Sequence, residues 1–321
     1  MKRALLMLLA AAIVGTGATP TDAEAATKKK AVAKKAVAAN KKVQRSAKQA
    51  RVKQTFGVKS AHRGLSLDDA RHLALQSSGV LVQDQTTGAI LFEKNPDVVL
   101  PIASITKLMT AMVILDRGLD LEQRIVVSGE DSDLVKGTGS RLRPGSVLTR
   151  NELLLIALMA SENRAAASLA RTYPGGTQAF VAAMNAKAAA LGIEDTRFVD
   201  PTGLSPGNVS SARDLAKLVA AAHRYPLIRE YSTRSSAQVR AFGRTLSYRN
   251  TNGLVRSRDW DIGLSKTGYI SEAGRGLVMR VRMASKDLIV VLLDSWGKYS
   301  RIGDANRIRK WLESSAAATR G

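Results

Sequence analysis

The sequence predicts an α/β fold of the α+β kind, in which one sheet carries an all-helical lobe inserted between its first and last strands. Three observations predict it. The stretch "VLVQDQTTGAILFEK" is two β-rich runs around a Thr-Gly turn and reads as a hairpin. Helical patterns then fill residues 104–223. Beyond them β-rich runs return in "GLSKTGYI", "GRGLVMRVRMAS" and "DLIVVLLDS", before an amphipathic helix near residues 301–313 closes the chain. A sheet begun before an insertion and completed after it makes one domain with a lobe. The cleft between sheet and lobe is the natural place for a site.

The first 25 residues read as a secretory signal, with Lys2 and Arg3 at the basic end, Ala4 to Val14 as the apolar run, and Ala23-Glu24-Ala25 as a small-x-small cleavage site. That apolar run is about half of the ~20 residues a membrane span needs, so export is expected rather than anchoring. Residues 26–64 form a basic, low-complexity arm. From Lys28 to Arg63 there are 13 Lys/Arg and no Asp/Glu, in a chain whose net charge is +22. An Ala/Lys tract has little to bury and is expected to stay disordered or transiently helical. Its charge suits nucleic acid, but the export signal does not. An anionic wall or membrane surface is therefore the expected partner of the arm from Lys28 to Lys53, with a plain solvated spacer as the alternative.

The catalytic-type domain is expected to span 65–321. "LSLDDARHLALQSSG", residues 65–79, has a capping serine at Ser66 with acids in the first turn and reads as a helix. Inside the lobe, helices are read at "PIASITKLMTAMVILDRGLD", "RNELLLIALMA", "NRAAASLARTY", "TQAFVAAMNAKAAALG" and "SARDLAKLVAAAH". Cysteine is absent, which removes disulfides, thiolate nucleophiles and cysteine zinc sites. His62, His72 and His223 stand in no metal-binding spacing, and no G-x-S-x-G elbow accompanies them.

Three short patterns carry chemistry. Ser104 and Lys107 lie three apart on a helix, so their side chains share one face. A serine hydroxyl needs a base. A lysine sunk in an apolar helix must find partners or lose its proton. Ser161-Glu162-Asn163 interrupts two apolar helical runs, and Lys266-Thr267-Gly268 sits on a predicted strand, where a glycine often marks close approach of another chain or ligand. Singly, each pattern has an ordinary reading. Ser104 could be a helix cap and Lys107 a snorkelling lysine; Ser161 and Asn163 could cap helices; Lys266 could be a solvated edge-strand lysine. A second S-x-x-K, Ser295 to Lys298, has no S-x-N or K-T-G after it. Only the Ser104 set shows all three in the order S-x-x-K, S-x-N, K-T-G, which is the order of penicillin-binding proteins and class A β-lactamases.

From about Gly79 to Leu312 the sequence resembles the low-molecular-mass penicillin-binding proteins, serine D-alanyl-D-alanine peptidases. The resemblance includes "GSRLRPGSVLTRNELLLIALMASENRAAASLA" and "RFVDPTGLSPGNVSSARDL". With "YPGG", "AMNAKA" and "RNTNGLV" it looks closest to the periplasmic endopeptidase branch of Gram-negative bacteria. It implies a β-lactamase/transpeptidase-like fold, an antiparallel sheet flanked by helices. It also implies a periplasmic monomer acting on peptidoglycan peptide cross-links, with β-lactams as inhibitors and no metal, cofactor or nucleic acid. Carried over residue by residue, Ser104 is the nucleophile, Lys107 its general base and Ser161 a proton relay. Asn163, Lys266, Thr267 and Gly268 bind substrate, and the backbone amides of Ser104 and Tyr269 form the oxyanion hole. Glu162 stands where the family's middle motif has Asp, at a position without a catalytic role. The loop "GIEDTRFVDPTGLSPGN" lacks the E-x-x-L-N signature of a deacylating glutamate, which disfavours a β-lactamase. A D-alanyl-D-alanine carboxypeptidase and a non-catalytic wall-binding protein remain as alternatives. After Gly268 two strands and a helix are expected to use up the chain, which disfavours the carboxypeptidase with its added β-rich domain and amphipathic anchor.

If the arm holds an anionic surface through screened attraction, deleting Lys28 to Lys53 weakens sedimentation with isolated cell wall at low salt, and added salt removes the difference. Equal binding by both proteins would make the arm a spacer.

Overall fold

The computed structural model describes residues 58–59, 73–133 and 136–318. Contacts divide the chain into Met1–Thr55 and Phe56–Gly321, and every described residue belongs to the second unit. The expected signal and the arm to Lys53 lie outside the described residues, as does most of the helix read at residues 65–79.

Three strands come first: β1 (Val58–Lys59), β2 (Ser77–Asp84) and β3 (Ile90–Lys94). Strand β1 falls inside the segment assigned to the arm and pairs with β3. Strand β2 takes the last three residues of the stretch read as a helix. Locally, Ser77, Ser78 and Gly79 fit a helix end; the outcome is decided by distant partners, since Ser77 pairs with Ser295 and is held by Asp304.

The lobe follows. Short strand β4 (Leu100–Pro101) leads into a tight helical turn at Ala103–Thr106 and then helix α1 (Lys107–Asp116). Strands β5 (Arg124–Val126) and β6 (Val147–Thr149) pair with each other ahead of α2 (Arg150–Met159). Helices α3 (Asn163–Arg171) and α4 (Gly176–Ala190) come next, then β7 (Val209–Ser210), which pairs with β4. Helices α5 (Ala212–Ala222) and α6 (Pro226–Thr233) and a hairpin, β8 (Ser236–Ala241) with β9 (Arg244–Arg249), complete it. Helix α2 starts on a capping box, Thr149 with Glu152, that satisfies two free N–H groups at once.

The chain then returns to the sheet through β10 (Asp261–Ile270), β11 (Gly274–Met283) and β12 (Lys286–Ser295), and ends in α7 (Ser300–Ala318). The sheet order is β1-β3-β2-β12-β11-β10, with every pairing antiparallel. The three early strands thus form one half of the sheet and the three late strands the other, joined where β2 pairs with β12, and β10 lies at the edge among the described strands.

Helices cover both faces. Leu81, Leu264, Val278 and Val291 pack against the lobe with Leu108 and Met112 of α1. Val80, Leu277 and Val290 face the other way, toward Ile308, Trp311 and Leu312 of α7. A strand buried on both faces cannot alternate apolar with polar, and β12 accordingly reads "LIVVLL". Helix α1 is buried from Lys107 to Ile114 because the lobe surrounds it.

Asp304 of α7 is fully buried and accepts from Ser77 N at 2.7 Å, Gln76 N at 3.0 Å and Ser77 Oγ at 2.5 Å, with Arg307 as its cation. Replacing it with alanine strands those donors beneath the sheet. Asp304→Ala is expected to lose roughly 2–4 kcal/mol, the cost of leaving the Ser77 and Gln76 donors unpaired, in equilibrium urea unfolding.

Candidate active site

The serine of the first motif sits in the tight turn before α1 rather than capping it. Thr106 is the N-cap residue of α1 and its side chain instead donates to Ala103 O at 2.7 Å. Ala103 has φ 48°, a left-handed conformation that costs a residue with a Cβ about 1–2 kcal/mol. Two glycines let the turn be gripped there. A Cβ on Gly203 would lie 1.9 Å from Ala103 O, and one on Gly268 would lie 2.7 Å from Ile102 O. The turn holding Ser104 is therefore clamped between the loop at 200–203 and the edge strand β10.

Lys107 is 1% exposed, so the snorkelling reading fails. Its Nζ lies 2.6 Å from Thr202 O, 2.7 Å from Asn163 Oδ1 and 3.0 Å from Ser104 Oγ. The first two partners are obligate acceptors here. A neutral amine gives its two N–H groups to them and turns its lone pair to the serine hydroxyl. Burial lowers the Lys107 pKa to about 7, against the opposing pull of Asp200 and Glu162.

Ser161 joins α2 to α3 at φ 60°, in the left-handed position after a helix end that glycine usually takes. It is not a cap. The N-cap residue of α3 is Glu162, whose side chain makes no capping bond, and Glu162 instead accepts from Ser140 Oγ at 2.6 Å. The strained turn aims Ser161 Oγ at Lys266 Nζ, 3.0 Å away. Asn163 opens α3 and bridges the lobe, with Oδ1 on Lys107 and Nδ2 donating to Thr138 Oγ1 at 3.0 Å.

Lys266 is likewise 1% exposed, which removes the edge-strand reading. Burial depresses its pKa well below the ordinary lysine range, and the nearby cations Lys107 and Arg301 add to this. Thr267 Oγ1 donates to Thr251 Oγ1 at 2.7 Å. Ser104, Ser161, Asn163, Thr267, Gly268 and Tyr269 all line one cleft of about 370 Å³. All of the expected site residues but Lys107 and Lys266 open onto it, and those two touch its serines from beneath. Thr251, Arg275 and Arg301 line the same cleft and were missed in the sequence. Thr251 lay in the quoted "RNTNGLV", but nothing local marks an arginine on a sheet strand or a terminal helix as facing a cleft. Burial and Arg275 lower Arg301 to about 10, so two cations crowd the cleft rim.

Residues 66–297 match the family model described as D-alanyl-D-alanine carboxypeptidase. The chain belongs to that serine peptidase family. Among its relatives, the D-alanyl-D-alanine endopeptidase of Pseudomonas aeruginosa is 52% identical over 242 residues, 75% of this chain and 78% of that one. The D-alanyl-D-alanine endopeptidase of Escherichia coli is 48% identical over 262 residues, 81% and 84% of the two chains. The crystal structure of the Streptomyces K15 DD-transpeptidase superposes with a TM-score of 0.70 at 27% identity, covering 75% of this chain and 98% of that one. The fold is accordingly that of the penicillin-binding transpeptidases, and the chain is a D-alanyl-D-alanine peptidase with the antiparallel sheet and flanking helices of that class.

In this family member a reaction that uses the free amine of Lys107 gains as its proton leaves. The rate of penicillin acylation is expected to rise with pH through about 7 and to fall roughly tenfold for each unit below it. A stopped-flow profile flat from pH 5 to 8 would mean that Lys107 does not take the proton.

Proposed function

We propose that the chain is a periplasmic serine D,D-endopeptidase that hydrolyses D-alanyl-meso-diaminopimelate cross-links of peptidoglycan through an acyl-enzyme on Ser104, which penicillin traps. The observation that carries the chemistry is the Lys107 amine, with two acceptors fixed on Thr202 and Asn163 and its third direction on Ser104 Oγ. The names borne by the relatives from Pseudomonas aeruginosa and Escherichia coli support the cross-link as substrate. The signal-like first 25 residues support the periplasm.

In this reading Lys107 takes the Oγ proton as Ser104 Oγ bonds to the D-alanyl carbonyl carbon. The backbone amides of Ser104 and Tyr269 hold the oxyanion, where one preorganised donor contributes about 10²–10³ in rate. The C–N bond then breaks, and the leaving amine receives a proton through Ser161, beside Lys266. Water releases the ester by the reverse route. Asn163 holds the substrate amide. Thr267 takes a substrate carboxylate, with Arg301 and Arg275 supplying further positive charge at the cleft rim.

Proton placement follows from the same charges. Lys107 and Lys266 repel each other's protons. A carboxylate beside Thr267 favours a charged Lys266, and a charged Lys266 disfavours a proton on Lys107. Substrate binding thus moves the pair toward the state the first step needs.

Chromatography of products from muropeptides tests the reading. Cross-linked dimers are expected to yield monomers with the wild type and nothing with Ser104→Ala, whose mass does not increase on exposure to penicillin. Lys107→Arg keeps the charge but has no accessible neutral form and is expected to lose acylation while staying folded. Release of D-alanine from pentapeptide monomers with dimers left intact would make the chain a carboxypeptidase instead.

A further inference from the structure

Beside the Ser104 cleft lies a larger one of about 590 Å³, within the ~300–1,000 Å³ of ligand sites. One wall is the loop at residues 140–146 and the other is the tip of the β8–β9 hairpin. Ser140 and Arg141 line it and also line a groove with Ser161 and Asn163, which in turn line the Ser104 cleft. The three depressions therefore adjoin one another through shared walls.

The larger cleft is cationic. Arg141, Arg143 and Arg244 are all exposed at it, and none forms an ion pair among the described residues. Arg141 is braced, its guanidinium 3.9 Å from the centre of the Tyr248 ring and donating to Ser247 O. Arg143 and Arg244 have no such brace among the described residues. In the groove between them and Ser104, Glu162 is the one carboxylate among the described lining residues, and it is already engaged by Ser140.

The hairpin tip adds an apolar element. Phe242 and Gly243 have φ 52° and 67°, the two left-handed residues of a type I′ turn, where Asn-Gly is the easy choice. A phenylalanine there is strained, yet it is 58% exposed and gains no core packing. Its ring lies over Gly145, where a Cβ would come within 3.0 Å of Cζ. Strain that burial does not offset is concentrated at functional positions.

We propose that this cleft is a subsite for an anionic peptide, the stem peptide of a cross-linked substrate that is not acylated onto Ser104. Arg143 and Arg244 take its carboxylates through their planar forks, and Phe242 carries its aliphatic side chains. A continuous polyanion would meet Glu162 on the way to Ser104, whereas separate carboxylates on an aliphatic peptide suit spaced arginines around a phenyl ring. The inference rests on the endopeptidase reading and gives it a physical basis: a monomeric stem peptide fills one cleft, and a cross-linked pair fills both.

Binding tests this without turnover. Ser104→Ala protein is titrated calorimetrically with muropeptide dimers whose carboxylates are free or amidated, with and without Arg143→Ala/Arg244→Ala. The double replacement is expected to weaken the free-carboxylate dimer by at least about tenfold, while affinity for the amidated dimer and the melting temperature stay the same. Equal affinity of the two proteins for the free-carboxylate dimer, or an equal loss with the amidated one, would overturn the subsite. Product analysis with the active enzyme decides the endopeptidase reading separately, since the inactive protein reports binding alone.

Discussion

Lys107 brings an amine into the middle of the protein, and among the described residues no carboxylate is in hydrogen-bonding contact with it. Its partners are a main-chain carbonyl at Thr202, the amide oxygen of Asn163 and the hydroxyl of Ser104. Each comes from a different piece of the fold: the loop after α4, the start of α3 and the turn before α1. A direct ion pair would keep the amine charged. Neutral acceptors accommodate an uncharged amine with one lone pair to spare, so the lobe has to be assembled around this one side chain before it can serve as a base.

The same demand explains where the backbone is strained. Ala103 and Ser161 both take left-handed conformations, one just before Ser104 and the other between two helices. At Ala103 the neighbouring elements hold the turn, because Gly203 and Gly268 allow main chains to approach it more closely than any side chain would permit. Sheet and lobe thus press on the site from opposite sides, and the two serines are held against their lysines at 3.0 Å each.

A second organising feature is the distribution of positive charge. Lys266, Arg275 and Arg301 crowd the cleft, and Arg141, Arg143 and Arg244 continue the field beyond it. Lys107 and Arg301 add to the depressed proton affinity of Lys266, and Arg275 to that of Arg301, so an anionic ligand offsets the repulsion. A stem peptide bearing carboxylates answers that need at both ends of the groove.

Much of the chemistry was legible in the sequence because it is written in short, local patterns. Ser104 and Lys107 share a face by helical spacing alone, and the three motifs in order indicate a family with one known arrangement. That one sheet is begun before the helical block and completed after it followed from β-rich runs on either side of that block. Ser77 to Gly79 went the other way: their local signals suit a helix end, and only pairing with β12 and the buried Asp304 makes them strand. The β8–β9 hairpin is hard to see in the sequence, although "SAQVRAFGRTLSYR" alternates around Phe-Gly, because a phenylalanine is a poor turn signal. Thr202 and Thr251 fall in stretches that carry the family resemblance, but Arg275 and Arg301 reach the site from a sheet strand and the terminal helix, where no window of sequence marks them. The residue types, and hence the class of reaction, were set by the sequence itself. Which lysine loses its proton, and what else faces the cleft, was decided by burial and by charges that meet only after folding.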